Sequence, residues 1–209
     1  MHVTGKMRDC IRNSMENKDM KIGLVIMASG LGKRFGGNKL MADLKGKPML
    51  QWILDTTEGL FEKRVVVTRN KDVEDLCKQL HIDCIYHEFP GRNDTVRLGL
   101  SALRADVDYC FFTPGDQPLI RQASIQKLMA AALENRERIV RAGFLEKVGS
   151  PMGFPAEFFE QLCNLPEGKG GNFVALKNPE VVYPIMVEDE YELFDVDTVE
   201  DLEIVKGRL

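Results

Sequence analysis

The chain has 209 residues, a length that suits one sizeable domain better than two. Its composition of 44% hydrophobic and 29% charged residues is typical of a globular protein and excludes a disordered or low-complexity chain. The formal net charge of −4 gives no overall basic surface for nucleic acid, and no apolar run approaches the ~20 residues that a membrane-spanning helix needs.

The N-terminal segment differs from the rest of the chain. Residues 1–20 precede the first predicted strand and contain no apolar stretch of the signal-peptide kind. We therefore expect a poorly ordered extension over 1–20, a single domain over 21–209 and a cytoplasmic protein. The cysteines are odd in number, widely scattered and never spaced as C-x-x-C, which indicates reduced, mostly core thiols. They are Cys10, Cys77, Cys84, Cys110 and Cys163.

Short apolar runs alternate with amphipathic stretches from residue 21 onward. The continuous run 22–28 is typical of a strand buried on both faces, and a glycine-rich loop follows it. Pro48 then opens a helix that runs to Leu54. Further strands are predicted at 64–68, 83–87, 108–113 and 138–142. Further helices are predicted at 72–80, from a cap at Asn93 or Asp94 to Leu103, at 124–135 and at 197–208.

This alternation predicts a Rossmann-like α/β fold, doubly wound, with a mostly parallel sheet and helices on both faces. Ligands of such sheets bind beyond the carboxyl ends of the strands. The loops after Ala28, His87 and Thr113 are therefore the expected ligand-binding loops.

The loop after the first strand carries the chemistry of phosphate binding. Its glycines let backbone N–H groups approach a triphosphate, and Arg34 and Lys39 can reach the same phosphates. It is not a Walker loop, because Arg34 follows Gly32-Lys33 where Ser or Thr is required, and Phe35 breaks the dinucleotide fingerprint. The alternative is a mobile surface turn. The expected nucleotide contacts in this loop are Ala28, Ser29, Gly30, Gly32, Arg34 and Lys39.

Three aspartates follow later strands or precede the final helix. Asp116, between Gly115 and Gln117, is expected at the carboxyl edge of the sheet, where it can bind a hard cation such as Mg²⁺. Asp195 and Asp197 point to the same side of an extended segment, and either can supply a second carboxylate. The alternative for Asp197 is a capping role at the final helix.

Together these segments resemble a known family. The loop is similar to the signature L-x-x-G-x-x-x-R-x-G-x-x-K of nucleotidyltransferases of the molybdenum-cofactor type, and it is followed by GKPML at 46–50. Gly-Asp-Gln-Pro at 115–118 and Asp-x-Asp-Thr at 195–198 resemble the cytidylyltransferase branch.

The resemblance implies the fold of the nucleotide-diphospho-sugar transferases, with CTP and molybdopterin-bound molybdenum as substrates, Mg²⁺ as cofactor and pyrophosphate as product. It also implies service to a molybdenum hydroxylase apoprotein. The implied catalytic residues are Arg34, Lys39 and Asp116, and the implied metal ligands are Asp116 and Asp197. Gly91, Thr95 and Gly115 join the implied nucleotide contacts.

One departure from the family pattern leaves the acceptor open. Ser150 stands where the cytidylyl branch has the histidine of G-H-P, and a serine offers neither the same charge nor the same reach. A sugar- or alditol-phosphate cytidylyltransferase and a guanylyl-transferring cofactor enzyme therefore remain alternatives. A non-catalytic nucleotide-binding module that delivers the cofactor is the alternative outside the enzymes.

Overall fold

The computed structural model describes residues 20–209, which form a seven-stranded sheet, a small two-stranded hairpin and flanking helices. The strands are β1 (Ile22–Ala28), β2 (Asp43–Leu44), β3 (Lys47–Pro48), β4 (Lys63–Thr68), β5 (Cys84–Tyr86), β6 (Tyr109–Pro114), β7 (Ile139–Phe144), β8 (Lys147–Pro155) and β9 (Val182–Met186). The helices are α1 (Met49–Thr56), α2 (Lys71–Gln79), α3 (Arg92–Leu103), α4 (Gln122–Glu134), α5 (Phe159–Cys163), α6 (Gly171–Lys177) and α7 (Val199–Lys206).

The large sheet has the strand order β5-β4-β1-β6-β8-β7-β9. All neighbouring strands are parallel except the pairs that β8 makes with β6 and β7. The predicted doubly wound, mostly parallel sheet is therefore confirmed. The antiparallel strand arises because β7 and β8 are joined by a turn of only two residues, Leu145 and Glu146, which is too short for a parallel crossover.

Helices cover both faces of the sheet. In β1, Leu24 and Ile26 belong to the core on one face, and Val25 belongs to the core on the other, with every one of these side chains at most 1% exposed. Gly99 of α3 lies so close to the sheet that an added Cβ would come within 2.4 Å of Val25. This close approach fixes α3, whose first residues reach the carboxyl edge of the sheet.

The start of α3 corrects one expectation. Neither Asn93 nor Asp94 caps the helix; Gly91 is the N-cap residue, and α3 begins at Arg92. Asp94 lies at the third helical position, where its carboxylate accepts a hydrogen bond of 3.2 Å from the Gly91 N–H. A carboxylate at this position is favoured by the positive end of the helix dipole.

The start of α7 decides between two alternatives from the sequence. Thr198 caps this helix, since its hydroxyl accepts from the Asp201 N–H at 3.1 Å. The Asp201 carboxylate in turn accepts from the N–H groups of Asp197 and Thr198 at 2.9 and 2.8 Å. The side chain of Asp197 is consequently not used as a cap.

Other expectations concern the cysteines and the first residues. The four cysteines of residues 20–209 are free thiols, with Cys77 and Cys110 buried and Cys84 and Cys163 partly exposed. Cys10 and nearly all of the expected N-terminal extension lie outside the described residues, so that prediction stays a prediction. In the described part of the chain, no helix has the length and apolar character to cross a bilayer.

Candidate active site

A cavity of about 850 Å³ opens at the carboxyl ends of β1 and β6. Its walls come from Ser29 and Gly30 after β1, from Gly91 and Thr95 at the start of α3, and from segments 114–117, 147–150 and 190–197. The three loops that the sequence singled out therefore meet at one cavity, as parallel strands require of loops that follow their carboxyl ends.

Four charged side chains converge at this edge of the sheet. The Lys39 Nζ atom lies 2.6 Å from Asp116 Oδ2 and 2.8 Å from Asp197 Oδ1. The Arg34 guanidinium donates to Asp197 Oδ2 at 2.6 Å. Lys39 is buried, with 8% of its side chain exposed, whereas 73% of the Arg34 side chain is exposed. The cluster therefore has a buried inner cation and a solvent-exposed outer cation.

Backbone contacts explain why these residues meet despite their separation in sequence. The Val196 N–H donates to the Asp116 carbonyl at 2.9 Å, which fastens the segment before α7 to the loop after β6. Asp116 and Asp197 consequently lie on either side of Lys39. The Gln117 Nε2 group donates to Asp195 Oδ1 at 2.9 Å and so ties Asp195 to the loop after β6.

The cluster shifts the ionisation of its members. Burial disfavours the charged form of Lys39, but the charge and hydrogen bond of Asp116, followed by those of Asp197, outweigh it and raise the pKa of Lys39. Burial acts to raise the pKa of Asp197, but the hydrogen bond and charge of Lys39, with Arg34, bring it below its usual range. The pKa of Asp195 is raised by burial and by the charge of Asp116. Lys39 and Asp197 therefore form a stable ion pair at neutral pH.

Two glycines of the predicted site shape the loops rather than line the cavity. Gly32 has a φ of 59°, and an added Cβ would lie 2.1 Å from the Gly37 carbonyl oxygen. A Cβ on Gly115 would lie 2.9 Å from the Leu50 side chain. Ala28 is likewise buried, at the end of β1, and does not line the cavity. Gly30 does line it, and its Cβ position is open, with nothing within 4 Å.

The other predicted nucleotide contacts lie on a second wall. Gly91 and Thr95 line the cavity on the α3 side, and Ser29 faces them from β1. The Ser29 Oγ atom donates to the Val67 carbonyl at 3.1 Å and lies 2.9 Å from His87 Nε2. Ser29 is thus held in place by two neighbouring strand ends.

Sequence reasoning missed Arg69, which lines this wall, and His87, which contacts Ser29 without lining the cavity. The Arg69 Nε group donates to the Ser29 carbonyl at 3.0 Å, and Arg69 itself lines the cavity. Burial and the charge of Arg69 lower the pKa of His87, which keeps that imidazole neutral. Both residues directly follow the strands β4 and β5, and that position at the carboxyl edge is the signal that could have identified them.

The residues of the cluster fit a divalent cation in part. Asp116 Oδ1 is buried and has no hydrogen-bond partner, and its carboxylate already shares one cation, Lys39, with Asp197. Within residues 20–209, no three His, Cys, Asp or Glu side chains are grouped as a complete metal site. Two carboxylates are nevertheless sufficient for Mg²⁺ when substrate phosphates and water complete its coordination.

A glycine-rich loop after the first strand, paired with basic side chains and carboxylates at one sheet edge, defines a nucleotide-binding α/β protein of the phosphoryl- or nucleotidyl-transferring class. Comparison with known families makes the class specific. The chain belongs to the family described as the MobA-like NTP transferase domain, which matches residues 24–181. Its relatives in sequence and in structure are nucleotidyltransferases, and the family makes this protein one as well.

Two curated relatives match over most of their lengths. A probable molybdenum cofactor guanylyltransferase of Aquifex aeolicus is 24% identical over 85% of this chain and 86% of its own. The 2-C-methyl-D-erythritol 4-phosphate cytidylyltransferase of Dehalococcoides mccartyi is 25% identical over 89% of this chain and 82% of its own. The chain is therefore similar both to a guanylyltransferase and to a cytidylyltransferase.

Solved structures agree with the fold. The crystal structure of Rv0371c from Mycobacterium tuberculosis has a TM-score of 0.79 and 20% identity, and covers 91% of this chain and 100% of that one. A complex of the same protein with manganese has a TM-score of 0.75 and 18% identity, over 91% and 100% of the two chains. The nucleotide-diphospho-sugar transferase fold expected from the sequence is confirmed.

Proposed function

We propose that the protein transfers a cytidylyl group from CTP to the phosphate of molybdopterin-bound molybdenum cofactor and releases pyrophosphate. The observation that carries the proposal is the convergence of Arg34, Lys39, Asp116 and Asp197 beside the glycine loop, at the edge where such sheets bind nucleotides. Simple binding of a nucleotide does not need a buried lysine held between two carboxylates. A reaction that builds up charge on departing pyrophosphate is favoured by a cation that is fixed in place before the reaction.

The loop after β1 would hold the triphosphate. Gly30 lines the cavity without a side chain, which allows phosphate oxygens to reach the backbone amides. Arg34 is largely exposed and can leave Asp197 for the phosphates at little cost. Lys39 supplies positive charge from within the protein, where it is poorly screened by water. These two cations would stabilise the departing pyrophosphate.

Asp116 and Asp197 are the proposed ligands of a divalent cation, and Mg²⁺ is the cation we propose. When bound, it would neutralise phosphate charge and hold the donor in position for attack. Asp195 is the less suitable ligand, because Gln117 occupies one of its oxygens and its pKa is raised. The manganese complex of the structural relative from Mycobacterium tuberculosis is consistent with a cation in this fold.

The chemistry requires no general base. The phosphate of the acceptor is already ionised at neutral pH, so one of its oxygens can attack the α-phosphorus of CTP directly. A new P–O–P bond forms as the bond between the α- and β-phosphates breaks, and the electron pair leaves on pyrophosphate. The residues of this chain supply alignment and charge, by holding the two phosphates close and neutralising the leaving group.

The choice of CTP is part of the proposal. It is supported by Gly-Asp-Gln-Pro at 115–118 and Asp-x-Asp at 195–197, which resemble the cytidylyl branch, and by the cytidylyltransferase relative. Gln117 has a structural role, because its side chain donates to Asp195 and fixes that residue next to Asp116. Ser29, Gly91 and Thr95 are the proposed base and ribose contacts.

Two other functions have specific support. The guanylyltransferase relative favours transfer of a guanylyl group to the same kind of acceptor. The cytidylyltransferase relative favours a phosphorylated alditol as the acceptor, and Ser150, which lines the cavity, leaves that choice open. We propose delivery of the product to a molybdenum hydroxylase apoprotein in the cytoplasm only for cytidylyl transfer to the molybdenum cofactor.

Pyrophosphate release tests these functions against one another. Purified protein is assayed with CTP or GTP and with molybdopterin-bound molybdenum, methylerythritol phosphate or no acceptor. We expect release with CTP and the molybdenum cofactor, loss of most of it in Asp116→Asn, and little change in Asp75→Asn, a surface aspartate of α2 outside the cavity. Faster release with GTP would contradict the choice of nucleotide, and normal turnover by Asp116→Asn would contradict the mechanism.

A further inference from the structure

Arg141, in β7, is a buried cation. Arg141 as a whole is only 7% exposed, and the Nε atom of its guanidinium has no hydrogen-bond partner. The contacts it does make are to neutral groups. Nη1 donates to the Asn172 side chain at 3.1 Å, and Nη2 donates to the Gly149 carbonyl at 3.4 Å. Burial accordingly lowers the pKa of Arg141.

Two further basic residues lie near these contacts without a carboxylate partner. Arg92 and Lys147 line the cavity together with Gly149 and Ser150. Arg92 also packs against the loop that leads to Asn172, since an added Cβ on Gly170 would lie 2.9 Å from its Cδ atom. Across residues 20–209, no acid lies within ion-pairing distance of Arg92, Arg141 or Lys147.

The lack of an acid at Arg141 is the unusual feature. A buried charge is strongly unfavourable unless a charge of opposite sign or a full set of hydrogen bonds compensates it, and Arg141 has neither. Arg141 does not itself line the cavity, but its Nη2 atom reaches the carbonyl of Gly149, which does line it. The cluster on the phosphate-loop side differs from Arg141, because Asp116 and Asp197 are paired with Lys39, and Arg34 with Asp197. The cavity thus has a neutralised cluster on the phosphate-loop side, whereas Arg92 and Lys147 line it without an acid partner among residues 20–209 and Arg141 lies behind Gly149.

We propose that Arg141, Arg92 and Lys147 form a cationic subsite that binds the phosphate monoester of the acceptor. The subsite rests on the proposed function, because an acceptor phosphate must reach the same cavity as the nucleotide. It also provides what Ser150 lacks: positive charge beside residues 149 and 150, supplied from the neighbouring strand. The N-terminus of the twelve-residue helix α3, which begins at Arg92, adds a favourable partial charge.

The first experiment separates this subsite from the triphosphate loop. Wild type, Arg141→Met and Arg138→Met are saturated with the α,β-methylene analogue of CTP and Mg²⁺, and inorganic phosphate is then titrated calorimetrically. Arg138 is the matched control, since its guanidinium donates to the carbonyl of Glu180, which does not line the cavity, whereas Arg141 donates to the carbonyl of Gly149, which does. We expect phosphate to bind wild type and Arg138→Met alike. Arg141→Met should bind it ~10- to 100-fold more weakly, as expected when a buried, poorly screened charge behind the subsite is lost.

Equal phosphate affinity in Arg141→Met and wild type, or no phosphate binding to wild type, would overturn the subsite. If the analogue itself does not bind, the proposed use of CTP is wrong, and the subsite is then tested in nucleotide-free Lys39→Met. That variant lacks the inner cation of the triphosphate loop, so phosphate binding that still depends on Arg141 would support the subsite.

The second experiment asks whether Arg141 is merely structural. Removing an uncompensated buried cation should leave the melting temperature of ligand-free Arg141→Met equal to or above that of wild type. If Arg141 instead serves to join Asn172 and Gly149, the melting temperature should fall by several degrees, and the proposal is wrong. In steady state with molybdopterin-bound molybdenum, we expect the KM for the acceptor to rise ~10- to 100-fold and the KM for CTP to stay constant. Arg141→Lys should recover part of the lost acceptor affinity, because lysine keeps the positive charge but lacks the planar set of donors of a guanidinium.

Discussion

Replacing Lys39 by methionine should reveal the electrostatic role of the cluster. Methionine keeps most of the aliphatic packing but leaves Asp116 and Asp197 facing each other without a cation. Loss of one partner of a fully buried pair costs ~3–5 kcal/mol. Because 21% and 32% of the two aspartate side chains are exposed, water reduces that cost, and we expect ~1–3 kcal/mol. For a domain of this size the melting temperature should fall by ~3–10 °C.

Magnesium should reverse much of that loss. In Lys39→Met the two carboxylates are free to bind a divalent cation, and binding to the folded state alone stabilises it. Thermal unfolding is therefore measured with EDTA and with ~10 mM MgCl₂, in wild type, Lys39→Met and Lys63→Met, whose ion pair with Asp106 is solvent-exposed. We expect Mg²⁺ to stabilise Lys39→Met more than the other two. An equal effect on all three would refute the assignment of Asp116 and Asp197 as a cation site.

The same variant has a pH dependence with a defined sign. The folded-state pKa of Asp197 lies below its usual value, so its pairing with Lys39 stabilises the protein above the unfolded pKa of ~4 and is lost as the pH falls through the folded value. The difference in melting temperature between wild type and Lys39→Met should therefore disappear in acid. A difference that persists at low pH would show that lost packing, not charge, is responsible.

Three further predictions address other parts of the site. Asp195→Asn should raise the melting temperature at pH 7, because the pKa of Asp195 is raised and its buried charge is unfavourable. This gain in melting temperature should shrink as the pH falls through that pKa. Asp197→Asn, by contrast, should mainly reduce turnover. Gly30→Ala should leave the melting temperature unchanged but raise the KM for CTP, whereas Gly37→Ala, also open at Cβ but outside the cavity wall, should alter neither. Gly32→Ala should destabilise the loop and lower activity, since the φ of Gly32 is positive and a methyl group would meet the Gly37 carbonyl. All three predictions are checked by circular-dichroism melting and by pyrophosphate release.

Those parts of the fold that the sequence predicts well have strong local signals. β1 is recovered residue for residue, because a continuous apolar run followed by glycines is typical of a central parallel strand. Asp116 could be placed at the carboxyl edge because it follows another such run. The position of a residue just after a buried strand is thus enough to assign it to the ligand side of a parallel sheet.

The strands β8 and β9 were not predicted. The turn between β7 and β8 is Leu145-Glu146, which lacks the Asn, Asp or Gly that usually marks a hairpin, and Leu145 adopts a φ of 51° without a glycine. β9 contains Pro184 and lies at the edge of the sheet with Tyr183 and Met186 exposed, so it shows no apolar alternation. Strand pairing of this kind is decided by tertiary contacts and not by local pattern.

Partners within the site were also beyond sequence reasoning. The sequence places Lys39 on a polar loop, whereas the structure buries it between carboxylates from two distant segments. Likewise, Gly32 and Gly115 look like phosphate contacts in the sequence, but the structure gives them packing reasons for lacking a side chain. Nothing in the sequence around Arg141 marks it as a candidate, because the feature that distinguishes it is the absence of a carboxylate partner in the described part of the folded structure.

The most direct test of the account is transfer of label from [α-³²P]CTP to molybdopterin-bound molybdenum, followed in wild type, Asp116→Asn and Asp195→Asn. The account predicts Mg²⁺-dependent labelling of the acceptor by wild type and, to a similar extent, by Asp195→Asn, whose aspartate is bound to Gln117. Labelling by Asp116→Asn should be nearly abolished while its melting temperature stays within a few degrees of wild type. Undiminished labelling by Asp116→Asn, or labelling that EDTA does not reduce, would contradict the claim that this cluster is the transferase centre.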